Sequence, residues 1–427
     1  MNLEQLRKQA KERVKEGREP RLSLAQHALA REHGYPSWAA LVHALEANPQ
    51  EFVRAATDGR RGRAEALLAA QPAIERDRWA GLVLGRGFDG DPNEPGGPRG
   101  WEPILYATHS VFAPRGLLRE LLESGADPNA TFRNEYGEMS ALYGAAGVVH
   151  DPEMTRLLLE ASANPDDGES LYHACEAASS ECLRLLLEHG AATRGTNALA
   201  HALDFDHFEH VRLLLEAGAD PNELASVAHS VRRGRGPEFV RLLHAHGADL
   251  DRPGGETWRG PVPLRTPYQH AVLRNRDDVA ATLAELGAST EVAPDDLAVA
   301  ARARNENAEL PAELDVDQQE VLIEAVLRGR RDVVSVDFRG VVGGSPEGSL
   351  LQHAAWVGDA ALVEYLLARG ATVAGAAGWT AHGSRHHRGG DHVAVMEQVT
   401  AAGAELERGL LEEADGPLYD WLLDRLD

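Results

Sequence analysis

Histidine, tyrosine, carboxylate and tryptophan side chains recur in this chain at spacings that could serve metal ligation, proton transfer or the gripping of a partner. Tyr106, Tyr143, Tyr172, His173, His201, His270 and His353 fall in short segments rich in Ala and Leu, and the four histidines occupy one equivalent position. Stacked segments would align them in a ladder. A metal needs three or four ligands converging on one point, and a ladder stepped by one segment per histidine does not supply that. Hydrogen bonding or packing between helices is therefore the reading. The stretch HGSRHHRGGDH at 382–392 places His382 and His386 four apart, with His387, Asp391 and His392 close by. Two histidines at that spacing on a helix can hold zinc. Here glycines surround them, and neither H-E-x-x-H nor C-x-x-C accompanies them, so the stretch reads as a solvated loop between helices. No metal site and no cofactor are expected.

Three connecting stretches carry side chains able to hold a partner. In GADPNATFRNEYGEMSALYGAA, residues 125–146, Phe132 and Tyr136 could pack locally, whereas Arg133, Asn134 and Glu135 are harder to explain as packing. In GRGFDGDPNEPGGPRGWEP, residues 85–103, Gly and Pro forbid helix and sheet, and the glycines match neither phosphate-cradling pattern. Arg99 and Trp101 are its candidate contact residues. In DRPGGETWRGPVPLRTP, residues 251–267, Trp258 and Arg259 are the residue types that dominate interface energetics when buried at a contact. No Ser-His-Asp or Cys-His relay can be assembled, so no catalytic residue is assigned and the balance leans away from an enzyme. Most Asp and Glu sit at predicted turns and helix starts, where capping explains them.

Composition narrows the class. The net charge of −24 argues against nucleic acid, whose binding rests on neutralising phosphates. A cationic or polypeptide partner fits it better. Cys175 and Cys182 are the only cysteines and read as small core residues; the absence of a disulfide framework favours a reducing compartment. No apolar stretch approaches membrane-spanning length, and MNLEQLRKQAKERVKEG is a charged helix, so a cytoplasmic location and no membrane partner are expected.

The elements that must position these side chains repeat. LLESGADPN, LLEASANPD, LLEHGAAT, LLEAGADPN, LLHAHGADL, LAELGAST, LLARGATV and VTAAGAEL recur at spacings of 37, 28, 28, 29, 40, 83 and 33. The 83 is about two units, with a lost tag placed at QQEVLIEAVLRGRRDVVSVD. Each tag ends an outer helix with Val and Leu at i, i+3, i+4 spacing, stopped by a glycine suited to a left-handed cap, for which Ser162 stands in once. Asp-Pro-Asn then starts a turn. Upstream lies an inner helix of small residues: SALYGAAG, SLYHACEAA, NALAHALD, TPYQHAVL or SLLQHAAW. One pair cannot bury its apolar face alone, but stacked pairs share a continuous core.

This pattern resembles the ankyrin repeat, whose T-P-L-H-x-A start is recognisable at Thr266-Pro267-Tyr268-Gln269-His270-Ala271 and degenerate at Ser140–Ala145 and Ser349–Ala354. The resemblance covers about residues 50–408. It implies an all-α solenoid of helix-turn-helix units with extended finger loops and helical caps. Residues 1–48 are expected to form a helical leader, similar to those before many bacterial ankyrin arrays, that covers the first repeat. Residues 49–408 would form nine to ten units, and 409–427 a capping helix with Leu418, Trp421 and Leu422 facing inward. The last inner helix, in GWTAHGSRHHRGGDHVAVMEQ, is expected to lose about a turn. Ankyrin proteins usually meet ligands on fingers and concave face, so the expected function is a protein- or peptide-binding scaffold acting between about residues 100 and 260. The candidate binding residues are Trp101, Tyr106, His109, Arg133, Asn134, Glu135, Tyr136, Tyr143, Tyr172, His173, Trp258 and Arg259. The alternative is a small-molecule-binding protein or unusual enzyme, with a pocket under the loops 85–103 and 130–140.

Overall fold

The computed structural model describes residues 3–35, 37–46, 48–135, 137–255, 263–333, 335–340, 347–387 and 389–426. Tyr136, Trp258 and Arg259 lie outside the described residues. The chain forms two compact units, one of His43–Gly254 and one of Met1–Val42 with Gly255–Asp427. No helix among the described residues is long and apolar enough to cross a membrane.

In the first of these units, short inner helices alternate with longer outer ones. The inner helices include Pro103–Thr108, Ser170–Ala174, Ala198–Asp204 and Ser226–Arg232; their outer partners are Arg115–Glu123, Glu181–Glu188, Phe208–Glu216 and Pro237–Ala245. The sequence explains the outer helices directly. In Arg115–Glu123, Leu117, Leu118 and Leu121 bury one stripe while the charged residues face out. In Pro152–Glu160, Asp151 caps the start by accepting from the Met154 amide, with Pro152 in the first turn. The following residue in the left-handed region is Gly125 in one unit (φ 90°) and Ser162 in the next (φ 70°), so serine adopts the backbone that glycine takes elsewhere.

Asparagines tie successive units together through an identical pair of bonds. Asn93 donates to Gly125 O and accepts from Asp127 N; Asn129 does the same to Ser162 O and Asn164 N; Asn222 does the same to Gly247 O and Asp249 N. Loop 85–103 is thereby one of the repeat's own turns, since Asp91-Pro92-Asn93 carries the same turn triplet as the tags. Asn129→Ala removes both bonds at one step of the stack. We expect a loss of about 1 kcal/mol in urea unfolding, because the freed backbone groups can reach water.

The expected finger at 130–140 is a β-hairpin. Thr131–Arg133 pairs antiparallel with Glu138–Ser140, Phe132 opposite Met139. Asn134 closes its turn: its amide donates to Gly137 O, and its side-chain oxygen accepts from Gly137 N.

In the second unit, complete pairs are Pro267–Leu273 with Asp277–Glu285, Leu350–Val357 with Ala360–Leu367, and Ala376–His386 with His392–Ala401. Between them, two inner helices, Pro294–Ala303 and Val316–Leu327, are followed among the described residues only by the short 3-10 turn Arg331–Val333. This accounts for the missing tag: among the described residues no outer helix that would carry it is formed. Thr266 and Ser349 start their helices with reciprocal capping by Gln269 and Gln352, the residues at the motif's usual His position. Leu418 and Leu422 of the C-terminal helix Gly416–Leu426 are buried, Trp421 is half-buried, and that helix contacts the helix Leu22–Glu32.

Two expectations about residues 376–392 are corrected. The inner helix there spans eleven residues, Ala376–His386, and has lost nothing. Nor is HGSRHH a solvated loop: its first five residues, His382–His386, are helical, and His382, His386 and His387 pack around the Trp356 indole at 5.1–5.7 Å between ring centroids. Gly383 permits this, because its missing side chain lets the helix lie against the Trp356 backbone.

Candidate ligand-binding row

The residues singled out in the first unit converge on one continuous run of rings. Trp79 packs on Tyr106 at 4.9 Å, Tyr106 on Trp101 at 5.4 Å, and Trp101 stacks on Phe132 at 4.1 Å. His109 touches Trp101, Phe132 and Tyr143, and Tyr143 meets His173 edge-on at 5.2 Å. Tyr172 stacks flat on His201, 3.8 Å apart with ring planes 6° from parallel, and His201 reaches Phe205. The inner helices supply most of these rings, which is why a fixed repeat places them side by side.

The run changes character along its length. At the Trp79 end it is structural. Tyr106 is fully buried, its hydroxyl donating to Gly96 O and accepting from Arg99 N, which pins loop 85–103. Gly96 and Gly97 lie so close to the Trp79 ring that an added Cβ would sit 2.6 Å from it. Arg99 is held by Thr57 and Asp58 and lies over the Trp101 ring. The rings of Trp79, Trp101, Tyr106, His109 and Phe132 thus fill the space beneath the two loops where a small-molecule pocket would have to open. A cleft lies elsewhere, in the second unit, lined by Gly389–Val393 and Asp415–Leu418. Burial pushes His109 down to about 4, leaving it neutral, with Nδ1–H donating to Leu105 O.

From Tyr143 onward the rings are partly exposed, His201 the least of them. Burial raises the Tyr143 and Tyr172 phenols, so both remain protonated donors, and neither hydroxyl has a hydrogen-bond partner among the described residues. Arg133 and Glu135 are exposed on the hairpin, whose Phe132 carries them to the edge of the row, whereas Asn134 is engaged in its turn.

A second row of contacts, between imidazoles and carboxylates, runs alongside. His173 Nδ1 lies 2.6 Å from Glu176 Oε1, and the same oxygen lies 3.0 Å from His201 Nε2. His201 Nδ1 meets Asp204 Oδ2 at 3.2 Å, and Asp204 Oδ1 meets His229 Nε2 at 2.9 Å and Arg233 Nε at 2.7 Å. Burial pushes the Glu176 carboxyl up, but the bonds from His173 and His201 outweigh it and hold it at about 2. Asp204 is likewise held below the usual carboxylate range: burial opposes ionisation, and the bonds from His201 and His229 prevail. Glu176, Asp204 and His229 were missed in the sequence. The available signal was His-x-x-carboxylate at 173/176 and again at 201/204, with His229 one 28-residue step further on. His270 and His353 do not join this row; both are buried in the second unit. Among the described residues, no group of three or more His, Cys, Asp or Glu is arranged to hold a metal ion. Cys175 and Cys182 are buried, and burial raises both thiols, which makes them poor nucleophiles.

Comparison with known proteins matches the part of this row from Tyr143 onward to a known repeat. Residues 142–225 match the family model for ankyrin repeats, three copies. Among solved structures, the human ASB11 ankyrin repeat domain is 19% identical, covering 55% of this chain and 96% of that one at a TM-score of 0.38. The ankyrin repeat domain of Bcl-3, a member of the IkappaB protein family, is 24% identical over 55% of this chain and 97% of that one, at a TM-score of 0.35. No curated protein matches the chain.

Proposed function

We propose that this chain, an ankyrin-repeat protein, holds a polypeptide segment along the inner-helix row from Trp101 to His201. Repeat arrays commonly bind through the surface that successive inner elements create. The observation that carries the reading is the partly exposed run Tyr143–His173–Tyr172–His201, in which two tyrosine hydroxyls have no partner among the described residues. Tyrosine offers large contact area at low entropic cost, with a polar tip for a backbone carbonyl. Arg133 and Glu135 on the adjoining hairpin are proposed as rim contacts, and Trp101 and His109 as the wall that holds them in place. The net charge of −24 favours a basic partner through long-range attraction. The ring-filled space beneath the two loops favours this reading over the small-molecule one.

The test is selection of peptides from a random display library on the full chain. Tyr143→Ala with Tyr172→Ala should weaken the selected peptides by about tenfold or more. The variant's melting temperature is followed in parallel. Full affinity in the folded double variant, or no peptide that depends on either tyrosine, would sink the proposal.

A further inference from the structure

We infer that His201 is a protonated clasp: an imidazolium donating from both ring nitrogens to carboxylates of two successive repeats, so that the row is locked by one proton. The geometry carries this. Nε2 faces Glu176 Oε1 at 3.0 Å and Nδ1 faces Asp204 Oδ2 at 3.2 Å. An ionised carboxylate only accepts, and a neutral imidazole has a single N–H. A neutral His201 would therefore point a lone pair at one of the two anions. The ring is only 13% exposed, so water cannot easily stand in for the lost donor.

Every charged or titratable group around the ring is consistent with this state. From the preceding repeat come Glu176, with His173 and Glu169 beyond it, and the Tyr172 ring stacked on the imidazole face. Its own helix supplies Asp204. The following repeat supplies His229, which bonds Asp204 Oδ1, and Arg233, which is ion-paired with the same oxygen. A tyrosine face is itself a favourable neighbour for a cation. Burial alone would lower His201, and the bonds to Asp204 and Glu176 reverse this and raise it above the ordinary histidine value.

The sign of the pH effect follows. A histidine raised in the folded state stabilises fully below the unfolded value of about 6.5, and that contribution is lost as pH rises through the folded value. Losing the proton breaks one of the two bonds and leaves Glu176 or Asp204 facing a lone pair. The joint between the two repeats loosens and the row gains negative charge. Regulation of partner binding by this proton rests on the function proposed above, whereas the protonation state does not.

Nitrogen NMR of the imidazole rings, on the full chain with no ligand, tests the clasp directly. His201 is assigned by the signal that disappears in His201→Asn. At pH 6.5 both His201 nitrogens should show protonated shifts, with a titration midpoint above the ordinary histidine value. In Glu176→Gln the midpoint should move down, while those of the distant His244 and His246 stay put. A single neutral tautomer at pH 6.5, or a midpoint at or below the ordinary value, overturns the inference. The wild-type titration decides the matter even if the variant does not fold. Because no partner is present, failure here is distinguishable from failure of the peptide-binding proposal.

Discussion

Arg265→Met should lower the unfolding free energy by about 3–5 kcal/mol, read as an earlier urea midpoint. Arg265 stands at the centre of a buried charge cluster in the second unit. Its Nε and Nη2 grip both oxygens of Asp296 at 2.8 Å, Nη2 also reaches Asp315 at 2.6 Å, and Nη1 reaches Asp317 at 3.1 Å. Only Asp315 of these has appreciable exposure. Methionine fills similar volume but removes every donor, leaving the buried Asp296 facing the Gln318 amide in place of a cation. The cost is chiefly that of the Asp296 carboxylate left buried without its cation, which exceeds the net worth of the intact pair. Adding Asp296→Leu to Arg265→Met should therefore recover part of the loss, and the double-mutant cycle gives the coupling. An Arg265→Met protein as stable as the parent would show that these acids are already solvated.

That cluster also explains why the fold was legible in some places and not in others. The outer-helix tags could be read because their apolar spacing, stop residue and turn triplet all agree, and even Ser162 was assigned to the position where it adopts the left-handed backbone. Pro294–Ala303 and Val316–Leu327 carry no such tag. What fixes the start of Val316–Leu327 is Asp315, which caps it while binding an arginine fifty residues earlier in the chain, a contact with no local signature. The candidate row was partly legible for a related reason. Trp101, Tyr106, His109, Tyr143, Tyr172 and His173 could be picked as residue types, and the repeat brings them into one run. The carboxylates could not, because Glu176 and Asp204 look like ordinary solvated helix ends until the neighbouring helix places His201 between them. Asn134 shows the opposite case, a polar residue that attracts attention in the sequence and is engaged in its hairpin turn.

Gly383→Ala tests the largest misreading, that glycine in HGSRHHRGGDH marks a loop. In an exposed helix this substitution would stabilise, since alanine is the better helix former by about 1 kcal/mol. Here it should destabilise by about 3 kcal/mol, at the upper end of overpacking costs. A Cβ at Gly383 would lie 2.2 Å from the Trp356 carbonyl oxygen and 2.8 Å from its carbonyl carbon and Cα. These are backbone atoms of the facing helix Leu350–Val357, so no side-chain rotation can relieve the contact, and the two helices must move apart. Separation would also disturb the indole–imidazole stack of Trp356 on His386 and the bond between His392 Nε2 and Trp356 O. Gly378, in the same helix with open space around it, is the control: Gly378→Ala should be neutral or stabilising. The pair separates close helix approach from helix propensity, and a stabilising Gly383→Ala would mean that the two inner helices do not meet at this point.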